Sequence, residues 1–254
     1  MNNKEFLCED IVLNSISKNS NKIRKILDFG CGTGRFTKRL FLPKMEVYGC
    51  DVDNNLLKKA KKRQKNIKFT YVSPYKKIPY KSNYFDCVTM MGVLEHVSDE
   101  KETLVEIYRI LKKGGYLYIY GLNKGLFDIF DTGNIKFRFP YLHKVLYKLF
   151  YGEKAYRKEF VFKINHGIFG DFTVGKNWHT HYSVDDLNKL LRTKFKLNQH
   201  WLYSFTLPIL LAIDFVYFSV FKKESKLIIW LARLDQKLKM GRLSYSFVIE
   251  CQKL

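Results

Sequence analysis

The spacing of apolar residues changes along the chain, and each change marks an element. In residues 4–20, Phe6, Ile11, Leu13 and Ile16 stand among polar residues at helix-like intervals, which predicts a helix. Ile26 to Phe29 is a short apolar run with one acidic residue, a strand that opens into Gly30-Cys31-Gly32-Thr33-Gly34. Arg35 to Leu42 is helix-compatible, and Glu46 to Asp51 reads as a second strand ending on a carboxylate. Cys87 to Met91 reads as the fourth strand. Leu104, Ile107 and Leu111 set an amphipathic helix that Lys112-Lys113-Gly114-Gly115 is expected to stop, with basic residues in its last turn and glycine after it. Tyr116 to Tyr120 is the fifth strand. Residues 122–182 are a long break, too long for a simple connection in a compact domain, and read as an inserted cap. Ser183-Val-Asp-Asp186 is a capping-box-like start to a helix reaching Leu190-Leu191. Phe195 to Leu202 is a strand, residues 205–236 are largely apolar helix, and Ser244 to Cys251 is a final strand.

Composition narrows the class. With 254 residues the chain can bury a full core, and 46% apolar with 16% aromatic content marks a globular rather than a disordered protein. The five cysteines, Cys8, Cys31, Cys50, Cys87 and Cys251, form no Cys-x-x-Cys pair, which fits reduced thiols in a cytoplasmic setting. Met-Asn-Asn-Lys-Glu has no apolar stretch of the kind that begins a signal peptide.

The net charge of +21 is unevenly spread: residues 1–68 hold 16 basic and 7 acidic groups, and the densest run is Lys58, Lys59, Lys61, Lys62, Arg63, Lys65 and Lys68. An anionic partner such as RNA or an acidic membrane is one reading of this run. A solvated helix face in a lysine-rich composition is the other, and it is preferred, because no interleaved basic and aromatic signature of RNA binding is present. No zinc-ligand spacing is visible either, and no metal site is expected.

Strand, glycine turn and helix form the entry to a nucleotide pocket, because glycine lets the backbone approach a ligand closely. A dinucleotide fingerprint would place its third glycine at position 35, where this chain has Arg35. The third glycine instead comes one residue early, and Asp28, two places before Gly30, suits a cationic ligand better than a pyrophosphate. Asp51 ends the second strand, where a carboxylate accepts both hydroxyls of a ribose. Ile78-Pro79-Tyr80 and Tyr84-Phe85-Asp86 precede the fourth strand, and Gly92-Val-Leu-Glu-His-Val97 follows it.

This ordered set over residues 25–121 resembles the class I S-adenosylmethionine (SAM) dependent methyltransferases, and within them the ubiquinone-biosynthesis and small-molecule O-methyltransferases. The resemblance implies an α/β, Rossmann-like, doubly wound and mostly parallel sheet of seven strands with the last antiparallel. It implies SAM as cofactor, held by Asp28, Gly30, Cys31, Gly32, Gly34, Asp51, Val52, Ser73, Met91 and Gly92. Many relatives carry an aspartate after the third strand for the adenine; here that stretch is Tyr71-Val-Ser-Pro-Tyr75, and Ser73 is the candidate substitute. The organisation expected is a SAM-binding core with its N-terminal helix at 1–121, a cap at 122–182, and the end of the sheet at 183–254 with an apolar helical pair at 205–236.

Methyl transfer to a hydroxyl requires alignment and a base for the proton. Histidine suits the second task. His96 follows the fourth strand at the carboxyl edge of the sheet, where open α/β folds bind ligands. Some related enzymes carry a metal-assisted pattern with a further glutamate three residues before the Glu-His pair; this chain has Gly92 there. His96 is thus a catalytic base or a residue that orders the loop. His179 and His181, in Trp178-His-Thr-His-Tyr-Ser183, would share one face of an extended segment and are acceptor-site candidates or anchors of the cap.

The expected activity is O-methylation of a small or lipid-linked acceptor, such as a glycan intermediate or quinone precursor. An RNA methyltransferase and a non-catalytic SAM-fold scaffold are the alternatives. Nucleic acid is not the expected partner, because the run after the fourth strand is Gly92-Val-Leu-Glu95 rather than an Asn/Asp-Pro-Pro-aromatic motif. Phe205 to Phe221 is short for a span, is interrupted by Pro208 and Asp214, and is followed by Leu227 to Leu234 with basic flanks. A buried cap, a dimer interface and a helical pair lying on a membrane surface all fit that composition.

Overall fold

A computed structural model describes residues 7–73, 76–125, 138–157, 180–221, 223 and 225–254. In chain order its elements are α1 (Leu7–Lys18), β1 (Lys25–Phe29), α2 (Arg35–Arg39), β2 (Glu46–Asp51), α3 (Asn54–Arg63), β3 (Lys68–Tyr71), β4 (Phe85–Met91), α4 (Glu100–Ile110) and β5 (Leu111–Leu122). They continue with α5 (Pro140–Tyr151), α6 (Glu153–Tyr156), α7 (Val184–Leu191), β6 (Phe195–Tyr203), α8 (Leu207–Phe221), α9 (Lys226–Asp235) and β7 (Ser246–Lys253).

One sheet of seven strands runs in the order β3-β2-β1-β4-β5-β7-β6. β1 pairs in parallel with β2 and β4, β2 with β3, and β4 with β5, while the end of the chain returns antiparallel. The fold class is therefore the expected one. β1 and β4 carry near-continuous apolar runs because helices cover both faces of a parallel sheet. Ile26, Leu27, Val88 and Met90 are fully buried as a result.

Several local expectations shift. The first helix buries Cys8, Val12 and Ile16, a regular i, i+4, i+8 stripe, and leaves Ile11 and Leu13 only half-buried. α2 ends at Arg39, short of Leu42, and Pro43 keeps the helix from resuming at Leu42. The correction at Lys112-Lys113-Gly114-Gly115 is larger. α4 stops at Ile110, and Leu111 already pairs with Phe85. The four residues then form a register shift in the strand, with Gly114 at φ +72°. A Cβ on Gly115 would stand 2.8 Å from the Lys112 carbonyl, so glycine is required by close packing and not by a helix end.

The chain divides into two compact units. The first takes residues 1–121, 184–201 and 247–254, and the second takes 122–183 and 202–246. In the first, the end of the chain is pinned by Lys253, whose Nζ donates to the Leu111 and Tyr108 carbonyls at 2.7 Å and to Asn83 Oδ1 at 3.0 Å. In the second, Asn123 donates to the Ser244 and Arg242 carbonyls, and Asp235 accepts from the Phe205 and Thr206 amides and the Thr206 hydroxyl. Leu207 and Tyr245 are its buried apolar pair, with Leu122, Phe205 and Ala232 packed on them. Of the cap aromatics, Tyr147 packs on Tyr151 and Tyr156 with ring centroids 4.7 and 6.0 Å apart. Phe127, Phe130, Phe137, Phe160 and Phe162 lie outside the described residues.

Candidate cofactor and active site

The glycine turn takes its shape from the strands it joins. The Gly30 and Cys31 amides both donate to the Cys50 carbonyl, at 2.8 and 2.9 Å, and the Gly34 amide donates to the Cys31 carbonyl. Gly30, Gly32 and Gly34 all have φ between +54° and +76°, a region closed to most side chains. Their roles differ. A Cβ on Gly30 would stand 2.4 Å from Val93 Cγ2, so the turn and the loop after β4 are in mutual contact. A Cβ on Gly32 would meet nothing within 4 Å, which leaves open space for a ligand. Gly34 is packed by Phe69, Gln64 and Ala60, and Gln64 Nε2 donates to its carbonyl at 2.6 Å.

A cavity of about 280 Å³ opens beside this turn, lined by Cys8, Glu9, Asp28, Gly30, Cys31, Thr33, Arg35, Phe36, Met91 and Tyr120. Its acidic wall is Asp28, one residue before the end of β1 and fully buried. Asp28 Oδ2 accepts from the Thr37 hydroxyl at 2.6 Å and Oδ1 from Thr89 at 3.0 Å. Burial pushes its carboxyl up to about 7, against the lowering effect of those two hydroxyls. Asp51, at the end of β2, accepts from the Gly32 amide at 2.7 Å and the Asp53 amide at 2.9 Å, one on each oxygen. Burial raises its carboxyl, and the two amides pull it down. Each oxygen keeps a further lone pair for a ligand hydroxyl. Burial also pushes the Cys31, Cys50 and Cys87 thiols up, so they are inert neutral groups.

Glu9 is the residue that sequence patterning did not single out. It is buried, accepts from Arg39 at 2.6 Å and pairs with Arg35, while Asp10 also pairs with Arg39 at 2.6 Å. These pairs bind α1 to α2 across the mouth of the turn. The available signal was charge complementarity, two adjacent acids on the first helix and two arginines four apart on the second. Thr33, Phe36 and Tyr120 were likewise missed as lining residues. No motif marks them, and only proximity identifies them.

The other candidates fall in different places. Met91 lines the cavity, and the Gly92 amide donates to the Tyr120 carbonyl at 3.0 Å. Val52 is exposed, and Ser73 is half-buried after β3, with Pro74 and Tyr75 outside the described residues. His96 is half-buried in a single 3-10 turn, Leu94–His96, directly after β4. Glu95 beside it is buried, its carboxylate 3.6 Å from where a Gly92 Cβ would stand and 3.7 Å from that of Gly121. His181 is buried in the second unit, and His179 lies outside the described residues.

This donor set fits SAM. Asp28 lines a cavity into which an ammonium and a sulfonium would bring positive charge, while Glu9 on the same wall is held by Arg35 and Arg39. The volume, about 280 Å³, lies just below the roughly 300–1,000 Å³ typical of ligand pockets, enough for part of such a molecule.

Comparisons with known proteins agree. Residues 27–119 match a family described as "Methyltransferase domain". The chain is similar to a ubiquinone/menaquinone biosynthesis C-methyltransferase of Pasteurella multocida, 32% identical over 115 residues, which are 42% of this chain and 43% of that protein. It spans about half the length of the curated relatives it matches. Among solved structures it resembles a SAM-dependent methyltransferase from Methanosarcina mazei, with a TM-score of 0.53 and 18% identity over 92% of this chain and 93% of that one. It also resembles magnesium protoporphyrin IX methyltransferase from Synechocystis with bound SAH, with a TM-score of 0.55 and 14% identity over 97% of this chain and 82% of that one. At such identities the structural likeness speaks for the fold alone. The sequence match, the sheet order and the acid-lined cavity beside the glycine turn converge: residues 27–119 form a class I SAM-dependent methyltransferase domain, with SAM as its cofactor.

Proposed function

We propose that the chain methylates a small or lipid-linked acceptor at a hydroxyl oxygen. The observation that carries this reading is the cavity at the glycine turn, lined by Asp28 and, at the end of β4, by Met91, five residues before His96. When bound, SAM supplies a methyl group on a good leaving group. Asp51 is assigned the ribose hydroxyls, and Gly30, Cys31 and Gly32 the methionine portion, with Asp28 opposite its ammonium. Gly34 supports the turn from behind. Val52 and Ser73 border the adenine side, and Met91 and Gly92 the reacting centre.

His96 is the base. A ring nitrogen takes the acceptor's hydroxyl proton as the oxygen attacks, and returns it to solvent afterwards. His179 and His181 are assigned acceptor binding. Holding the acceptor in line contributes the rest of the acceleration by alignment. A second reading is favoured by one finding: several curated relatives are named ubiquinone/menaquinone biosynthesis C-methyltransferases. A phenolate is nucleophilic at oxygen and at ring carbon, so the same proton removal serves either product.

The test is transfer of labelled methyl from SAM to a panel of phenolic and polyprenyl-linked acceptors. His96→Gln should lower kcat by about 10²–10⁴-fold while leaving SAM affinity unchanged. An unchanged kcat removes His96 as base, and label on carbon selects the second reading. No transfer to any acceptor by a protein that binds SAM tightly would favour a scaffold.

A further inference from the structure

The second unit turns apolar side chains outward. On α9, Leu227, Trp230, Leu231 and Leu234 are all exposed, with Leu227 at 64% and Trp230 at 55%. Their spacing is i, i+3, i+4, i+7, one continuous helical stripe, and Leu238, Met240 and Leu243 prolong the exposed apolar run beyond the helix. On α8, which packs against α9, Ile209, Ile213 and Phe221 are exposed at intervals of four and eight residues. A contiguous apolar stripe open to water is what a binding surface looks like, whereas single exposed leucines are ordinary.

The charge around the stripe chooses its partner. Between residues 225 and 243, Lys226, Arg233, Lys237, Lys239 and Arg242 are exposed. The one acid in that stretch, Asp235, is buried and turned inward onto the Phe205 and Thr206 amides. Asp214, which looked from sequence like a carboxylate in an apolar segment, accepts from the Ser225 amide and so joins the two helices. The outward surface is therefore apolar and cationic. α8 has 15 residues, and no helix among the described residues is long and apolar enough to cross a membrane. Apolar stripe, basic border and insufficient length together describe a helix lying in the plane of an anionic bilayer surface.

We infer that α9, with the outer side of α8, docks the chain on an anionic membrane surface, inserting Leu227, Trp230, Leu231 and Leu234 between headgroups and setting its lysines and arginines against lipid phosphates. This holds whatever acceptor the enzyme uses. It also gives a lipid-linked acceptor a short route to the protein.

The test is flotation of the full chain with vesicles of phosphatidylcholine containing about one third phosphatidylserine, and with pure phosphatidylcholine. The parent should float with the anionic vesicles only. Trp230→Asp/Leu231→Asp should remain with the unbound protein, and Arg233→Glu/Lys237→Glu should lower the bound fraction about tenfold. All replaced residues are surface groups, so circular dichroism melting should match the parent. Tryptophan emission of the parent should shift to the blue on anionic vesicles, and Trp230→Phe should remove that shift. Failure of the parent to float, or equal flotation of parent and variants, overturns the inference. So does a parent that is dimeric by light scattering and becomes monomeric on Trp230→Asp without ever binding vesicles, since the stripe is then an interface between copies of this chain.

Discussion

α3 and α9 are helices of ten residues each, both capped by a side chain, Asp53 on the Asn55 and Leu56 amides and Ser225 on the Ile228 amide. Both are bordered by basic residues. They face water in opposite ways. α3 buries Leu57 and Ala60 against the sheet and exposes Lys58, Lys59, Lys61 and Lys62. α9 exposes its leucines and tryptophan along with its lysine and arginine. Charge count alone would have put the anionic partner at α3, where the basic run is densest. The inferred docking surface lies at α9 instead, because there the basic residues border exposed apolar area that can add to the attraction of charge.

The sharpest way to break this comparison is to truncate both helices. Leu57→Ala should destabilise by about 2–5 kcal/mol, since Leu57 is 1% exposed, while Leu227→Ala should stay within about 0.5 kcal/mol. Urea denaturation of both variants decides it, and equal losses would mean that α9 is buried in solution. Next in size, Gly30→Ala should cost roughly 1–3 kcal/mol from backbone strain alone, and more from the contact with Val93. Gly32→Ala carries the same left-handed strain but no clash, so its melting temperature should fall less than that of Gly30→Ala, with a further loss in SAM affinity.

Asp51→Ala should weaken SAM binding at least about tenfold in isothermal titration, because each charge-assisted hydrogen bond lost is worth about 1.5–3 kcal/mol. It should leave vesicle binding untouched, which separates the cofactor site from the docking surface. Asp28 gives a pH signature. Its carboxyl stands near 7 when folded and near 3.8 otherwise, so the folded protein holds that proton more tightly. Stability from this group is therefore lost as pH rises from about 4 to 7, by up to about 1.4 kcal/mol per unit. A bound cation favours the ionised form. SAM affinity should rise with pH towards 7 and then flatten, and Asp28→Asn should remove that dependence. The smallest effect expected is on α3: Lys58→Glu/Lys62→Glu should leave anionic vesicle binding within about twofold of the parent. A large loss would return the anionic partner to that face.

Much of the core was legible because its signals are local. The strand-glycine-helix run, the carboxylate ending β2 and the helix opening at Val184 each depend on neighbours in the chain, and each stands where patterning put it. The residues at Lys112 to Gly115 show the limit. Basic residues followed by two glycines satisfy a helix stop and a strand irregularity equally, and pairing of Leu111 with Phe85 decided between them. The cavity wall was legible on one side only. Asp28, Gly30 and Cys31 belong to a motif, whereas Glu9 reaches the site because Arg35 and Arg39 draw the first helix across it.

By itself the sequence determined the parallel core, the glycine turn with its two acids and the cofactor class, since period, spacing and residue type dictate local backbone and local chemistry. The tertiary structure decided which way each amphipathic surface points. An apolar stripe is a stripe in any sequence reading, and only packing shows whether it is covered. In α3 the sheet supplies that cover; in α9 the stripe remains open to solvent, while Asp235 and Asp214 hold the helical pair to its own unit.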